Sequence, residues 1–299
     1  MNRPFFSVIT VCYNAGDRLS DAVKALRAQT CGDYQHIIKD GGSTDGSVES
    51  ARSLTQGDGR TVIISRPDGG IYDAMNQALS EAEGEYVYFL NCGDTFYDCG
   101  VLSDVKRFIE EDLPDGTVNP RKTSEIDDRG NRCSNDGGIG EKDPFGAVIY
   151  GDFVLRGEKI RQPKRIDAFY LFRRPLNHQS AFFSREIFRR LGGFDTLFRI
   201  RADHELLVHA YRRGAVFMKI DRLINVYEGG GFSESAEMRD TRQRELIDIR
   251  RRHYTEAEIE RYGKRLHCRL GGLRSRMSSE NNPEMIRKLY RGIANLFNH

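Results

Sequence analysis

Tyr86-Val87-Tyr88-Phe89-Leu90-Asn91-Cys92-Gly93-Asp94 is the stretch on which the fold reading of this 299-residue chain rests. Tyr86 to Leu90 is an unbroken apolar and aromatic run, which suits a strand covered on both faces in a parallel sheet. The run stops at Asn91, where Gly93 permits a tight turn and Asp94 arrives at the carboxyl end of the strand. In open α/β sheets that end is where ligands bind. A lone aspartate there can receive a divalent cation and, through it, a phosphate. Taken by itself, the stretch reads equally well as a β-turn with a solvated carboxylate.

The preceding residues repeat the pattern. Phe5 to Tyr13, Tyr34 to Lys39 and Thr61 to Ser65 read as strands, each ended by a polar turn. Leu19, Ala22, Val23 and Leu26 fall at helical spacing between Arg18 and Gln29; Ser47 to Leu54 and Ile71 to Ala82 also read as helices. This alternation predicts an α/β fold, a mostly parallel Rossmann-like sheet flanked by helices and built with right-handed crossovers. Tyr13-Asn14, Asp40 to Asp45, Asp68 to Gly70 and Asn91 to Asp94 all follow strands and so gather along one sheet edge. Each alone reads as a turn or a helix cap. Neither the P-loop nor the Gly-x-Gly-x-x-Gly dinucleotide pattern is present.

Composition narrows the class. The chain is 38% hydrophobic and 30% charged with a formal net charge of +2, which argues against a dedicated nucleic-acid binder. Its cysteines are scattered, without a Cys-x-x-Cys pair, as expected of reduced thiols. No signal peptide or membrane-length apolar run is seen, so a cytoplasmic protein is expected.

Four motifs in order resemble family 2 glycosyltransferases of the GT-A fold: Ser7 to Asn14, Lys39 to Gly46, Pro67 to Asn76, and Phe89 to Asp94. The Gly-Ile-Tyr-Asp-Ala-Met-Asn element (Gly70 to Asn76) looks most like the branch that builds capsule, colanic-acid-type and other exopolysaccharides. The resemblance runs from about Ser7 to Ser233, apart from one insertion. It implies a nucleotide-sugar donor site made by Val11, Tyr13, Asn14, Asp40, Asp68, Gly70, Asp73, Asn76, Asn91 and Asp94. Asp40 would accept the imide N–H of a uracil-like base, and Asp94 would carry Mg2+ or Mn2+ against the donor diphosphate. There are two departures. The family's second acid after Asp40 is here Gly41, and its Asp-x-Asp metal motif is here Asn91-Cys92-Gly93-Asp94, with one carboxylate.

The later half supplies the other role. Leu176 to Phe183 is a polar turn entering an apolar strand, Ser184 heads a helix through Leu191, and a further helix starts near Ala202. Asp203 lies in that helix's first turn, where the dipole favours an anion. The resemblance makes Asp203 the general base of an inverting single displacement. It also places His178, Gln179, Gly230 and Ser233 against acceptor or diphosphate. His204 and Glu205, adjacent acid–base groups, do not match the motif.

Residues 1–232 are thus read as the catalytic domain, with a polar insertion over about 114–146, and 233–299 as a basic helical extension. Ile286, Leu289, Tyr290, Ile293, Leu296 and Phe297 form one helical face beside Arg287, Lys288 and Arg291, a pattern suited to an anionic, peripheral membrane contact. The expected donor is a UDP-sugar. The expected acceptor is a glycan or a polyprenyl-diphosphate-linked sugar. The alternatives are a catalytically silent nucleotide-sugar scaffold and a metal-dependent nucleotidyltransferase.

Overall fold

The computed structural model describes residues 3–112, 125–126, 132–133, 145–227, 229 and 238–279. The strand–helix rhythm of the first hundred residues is present: β1 (Phe6–Cys12), α1 (Asp17–Arg27), β2 (Tyr34–Asp40), α2 (Ser47–Leu54), β3 (Thr61–Ser65), α3 (Ile71–Leu79) and β4 (Tyr86–Phe89). A short β5 (Thr95–Phe96) and α4 (Val101–Asp112) follow. β1 and β4 are buried along their whole length, as their unbroken apolar character requires. Ile9 and Val11 face one apolar layer with Tyr72 and Met75 of α3. Phe6 and Val8 face the other, with Ala22 and Leu26 of α1 and Leu102 and Val105 of α4.

Next come β6 (Glu125–Ile126) and β7 (Arg132–Cys133), which pair with each other, then β8 (Ala147–Leu155), β9 (Glu158–Ile160) and α5 (Ala168–Arg173). β10 (Ala181–Ser184), α6 (Arg185–Leu191), α7 (Ala202–Arg212), β11 (Val216–Tyr227), α8 (Arg239–His253) and α9 (Glu256–Ser279) complete the described chain. The main sheet runs β3-β2-β1-β4-β10-β8-β11-β5, with β9 on β8. The first four strands are parallel, as expected. β10 is antiparallel to both neighbours, β4 and β8, so the sheet is mixed.

That reversal shapes the site. Phe182 pairs with Tyr88 and Ser184 with Tyr86, so the residues just before β10 lie beside those just after β4. His178 and Gln179, in a 3-10 turn (His178–Ser180), thereby reach the end of the sheet that presents Asp94.

Val216 to Tyr227 is one continuous strand with register shifts between Lys219 and Asn225. β8 runs on past Gly151, which leaves Asp152 inside the strand and paired with Lys219 Nζ at 2.7 Å. Ser184 precedes α6 without capping it, because its Oγ accepts the Ala147 N–H at 2.9 Å. Gly192, with φ +82, closes α6 in the left-handed conformation.

The start of the proposed extension shares the core of the catalytic half. Leu246 and Ile249 of α8 are buried, Arg250 Nε donates to the Phe172 carbonyl at 3.0 Å, and Tyr262 of α9 packs on Phe169 and Phe172. Most of the insertion, the Gly230–Ser233 loop and the amphipathic segment Ile286–Phe297 lie outside the described residues. Among the described residues no helix is long and apolar enough to cross a membrane.

Candidate active site

A cavity of about 1580 Å³ opens at the carboxyl ends of the first four strands. Val11, Tyr13, Asp68, Gly70, Asp73, Asn91 and Asp94 line it from the first half of the chain, and His178, Gln179 and Asp203 from the second. Tyr13, 68% exposed, presents its ring at the lip, in reach of a flat ligand such as a nucleobase.

Asn14, Asp40 and Asn76 are used elsewhere. Asn14 joins two loops, its N–H donating to Ser43 Oγ at 2.7 Å and its Oδ1 accepting from the Thr44 N–H at 3.0 Å. Asp40 is fully buried and does not line the cavity. It accepts the N–H groups of Gly42 and Ser43 at 3.0 and 3.1 Å and the hydroxyls of Ser43 and Ser65 at 2.5 and 2.6 Å. Burial disfavours its ionised form, but those donors outweigh it and hold the carboxyl below its usual range. In this arrangement its oxygens serve the turn and Ser65.

Gly41, not Asp40, faces the cavity. A Cβ there would lie 3.0 Å from Asp68 Oδ2 and 3.2 Å from the Tyr13 ring, so these two side chains take the space of the missing second acid. Asp68 is tied in place by Lys39, a fully buried lysine whose Nζ donates at 2.7 Å to Asp68 Oδ2 and to the carbonyls of Asp40 and Arg66. Asp73 Oδ2 accepts from the Gly69 N–H at 2.8 Å and from Gln77 Nε2 at 2.9 Å, which braces the entry to α3.

Asn76 clamps α3 to the loop after α6. Its Nδ2 donates to the Phe194 carbonyl and its Oδ1 accepts the Phe194 N–H, both at 2.8 Å. Only glycine fits opposite it, since a Cβ on Gly193 (φ +92) would approach Asn76 Oδ1 to 2.5 Å. Asn76→Ala is therefore expected to lower stability by about 2 kcal/mol, for two part-buried hydrogen bonds, with nucleotide affinity unchanged. Urea unfolding and ligand titration of the one variant check both halves of this expectation.

Asp94 is 7% exposed. Burial pushes its carboxyl up to about 6, with the Gln179 hydrogen bond and the charge of His178 pulling the other way. Gln179 Nε2 donates to Oδ2 at 2.6 Å. Nearby, Asn91 Oδ1 is buried with no hydrogen-bond partner among the described residues. A carboxylate held against burial and an orphaned amide oxygen form a hard oxygen donor set. It fits Mg2+ or Mn2+ with the remaining positions filled by water and phosphate.

Opposite, Asp203 Oδ1 accepts from the Tyr72 hydroxyl at 2.9 Å, and Oδ2 accepts from His178 Nδ1 at 3.0 Å. Burial opposes ionisation of Asp203, but the hydrogen bond and charge of His178, with the Tyr72 hydroxyl, hold it down to about 2. Burial also disfavours the His178 cation, yet Asp203 and Asp94 outweigh it and raise the imidazole above its ordinary value. Glu245 of α8 holds the segment that launches α7: its carboxylate accepts the N–H groups of Arg199, Ile200 and Arg201 at 2.8, 3.1 and 2.8 Å. His204 is buried against the Leu171 carbonyl at 2.6 Å, and Glu205 turns away to His253 Nε2 at 2.7 Å. Lys39, Tyr72 and Glu245 were not assigned from sequence. Tyr72 carries a signal within the Gly-Ile-Tyr-Asp element, and Lys39 one as the lone cation in an apolar strand; Glu245 carries none.

Residues 7–192 match the profile of glycosyl transferase family 2. The chain belongs to this family. Over 239 residues it is 28% identical to the PGL/p-HBAD biosynthesis glycosyltransferase of Mycobacterium bovis (strain BCG / Pasteur 1173P2), a match spanning 79% of this chain and 81% of the relative. Among solved structures it resembles S. aureus TarS, with TM-score 0.59 and 14% identity, covering 86% of this chain and 42% of TarS. It also resembles the mannosyltransferase PcManGT from Pyrobaculum calidifontis in complex with GDP-Man and Mn2+, with TM-score 0.57 and 17% identity, covering 98% of this chain and 81% of PcManGT. The fold is that of GT-A glycosyltransferases; TarS 1–349 in complex with UDP-GlcNAc is a further solved structure it resembles, with TM-score 0.58 and 15% identity, covering 82% of this chain and 66% of that one.

Proposed function

We propose that this family 2 enzyme transfers a sugar from a nucleotide-sugar, with UDP as the carrier, to an acceptor hydroxyl with inversion at the anomeric carbon. The observation that carries the proposal is the His178–Gln179 dipeptide. Gln179 reaches Asp94 and His178 reaches Asp203, so one turn spans a candidate cation site and a candidate basic centre across the same cavity.

Tyr13 and Asp68 would receive the base and ribose, and Asn91 and Asp94 would hold the cation, which when bound neutralises charge on the departing diphosphate. The Asp203–His178 pair would take the acceptor proton. Arg161, Arg174, Arg199, Arg201, Arg239 and Arg242 line the cavity from the second half of the chain, and Asp203 is that half's one lining carboxylate among the described residues. This balance favours an acceptor carrying negative charge, such as a polyprenyl-diphosphate-linked sugar in surface-polysaccharide synthesis at the cytoplasmic face of the membrane.

The test is thermal unfolding with UDP-, GDP- and dTDP-sugars, with and without Mn2+, on wild type and Asp94→Ala. A ligand at a hundred times its dissociation constant adds about 2.7 kcal/mol of stability. A UDP-sugar should raise the melting temperature in the presence of Mn2+, and Asp94→Ala should abolish the Mn2+-dependent part. If no nucleotide-sugar shifts the folded wild type, the proposal fails. Binding without transfer to any acceptor would favour a silent scaffold.

A further inference from the structure

We propose that Nε2 of His178 is the atom that receives the proton of the acceptor hydroxyl, and that Asp203 is its positioning residue. The inference rests on the glycosyl-transfer reading above and assigns the proton's destination within it. Both oxygens of Asp203 already accept hydrogen bonds, from the Tyr72 hydroxyl at 2.9 Å and from His178 Nδ1 at 3.0 Å. An acceptor hydroxyl would have to displace one of them to reach the carboxylate. A hydrogen bond to an ionised carboxylate requires the proton to sit on Nδ1, and the neutral ring then bears its lone pair on Nε2. Nε2 has no partner among the described residues, and His178 lines the cavity with its side chain 20% exposed.

The turn that carries the ring is held firmly. The Asn177 side chain accepts the Gln179 N–H at 2.8 Å, the Tyr88 hydroxyl donates to the Gln179 carbonyl at 2.6 Å, and the Gln179 side chain is anchored on Asp94. The titratable groups around the imidazole are Asp203 on α7, Tyr72 on α3 and Asp94 after β4; Asp94 bonds to Gln179, with no bond to the ring. Their directions agree with the assignment. Asp203 is held below its ordinary value, and its charge raises the imidazole.

In the step itself the acceptor O–H bond breaks as the new C1–O bond forms. The proton passes to Nε2, and the imidazolium is stabilised by the Asp203 carboxylate. The bond from C1 to the diphosphate oxygen breaks, and its electron pair leaves with the nucleoside diphosphate.

Two measurements test this. In protein labelled with 15N-histidine, the neutral His178 ring, identified by its loss in His178→Gln, should carry its proton on Nδ1. A ring protonated on Nε2 overturns the proposal whether or not a substrate is known. The second measurement is UDP release from a UDP-sugar in Mn2+ with water as acceptor, followed against pH. Wild type should gain rate as pH rises through one ionisation, which the Asp203 carboxylate holds up. His178→Gln should be slower by about 10²–10⁴-fold, lack that ionisation, and keep the donor's thermal shift. Asp203→Asn should move the ionisation to lower pH, because the imidazolium loses its anionic partner. Retention of the wild-type pH profile in His178→Gln, or loss of its donor binding, overturns the assignment. Absence of any donor shift in wild type instead overturns the glycosyl-transfer reading and leaves the tautomer measurement to decide the His178–Asp203 pair.

Discussion

Asparagine in place of Asp94 is expected to stabilise the ligand-free protein at pH 7.5 by about 3 kcal/mol, roughly two acidity units at 1.36 kcal/mol each, while removing Mn2+-dependent donor binding. The carboxyl is 7% exposed and is pushed up to about 6 by burial, against an ordinary value of 3.8. A folded state that binds a proton more tightly than the unfolded chain loses stability as pH rises from the unfolded value to the folded one. The cost of the ionised carboxylate is therefore absent below about pH 4 and complete above about pH 6. Asparagine keeps the shape and still offers an oxygen to Gln179 Nε2, but it never ionises. Urea unfolding of both proteins should show the gain at pH 7.5 and its disappearance near pH 4. Equal stabilities at pH 7.5 would mean that water reaches the carboxylate and that it is not held against burial. Saturating cation and nucleotide-sugar should narrow the gap, because the Mn2+-dependent part of the stabilisation falls to wild type alone. Stability sacrificed at a binding residue is common at functional sites.

Glu245→Ala is expected to cost about 3–5 kcal/mol, among the largest single losses available on this chain. The carboxylate is 7% exposed and accepts three backbone N–H groups from consecutive residues, Arg199 to Arg201. Removing it strands those donors and opens a void between α8 and the entry to α7. Each unsatisfied buried donor costs about 1–3 kcal/mol, partly relieved if water enters. Glu245→Gln keeps one accepting oxygen and should lose about half as much. Because Arg201 immediately precedes α7, and Asp203 lies in its first turn, both variants should also slow transfer more than they weaken donor binding. Urea unfolding with parallel donor titration measures the two effects. A loss below about 1 kcal/mol in the alanine variant would show that the three N–H groups find other acceptors.

These expectations mark where sequence reading succeeds and where it stops. The Tyr86 strand, the helix with its face at Leu19, Ala22, Val23 and Leu26, and the helix beginning at Ala202 were legible because burial periodicity is a local property of the chain. The same holds for the gathering of Asp68, Asp73, Asn91 and Asp94 at one cavity, since strands running in parallel bring their carboxyl ends together.

The direction of β10 was not legible. Ala181 to Phe183 is apolar on both faces, and such a run has the same pattern read from either end. Asp40 and Gly41 are neighbours, and which one looks into the cavity depended on how the turn after β2 closes over Ser43 and Ser65. Asp73 and Asn76 share a helix face, but the cavity covers only the first of them, and Phe194 claims the second.

By itself, then, the sequence determined the class of fold, the order of most of its elements and the set of polar groups available to the cavity, because these follow from side-chain periodicity and turn chemistry. Tertiary structure alone decided which of those groups remain free for a ligand. Each depends on partners distant in the chain, as His178 meeting Asp203, Gln179 meeting Asp94 and Glu245 meeting Arg199 to Arg201 all show. A buried polar atom takes whichever partner the packing brings within hydrogen-bond reach.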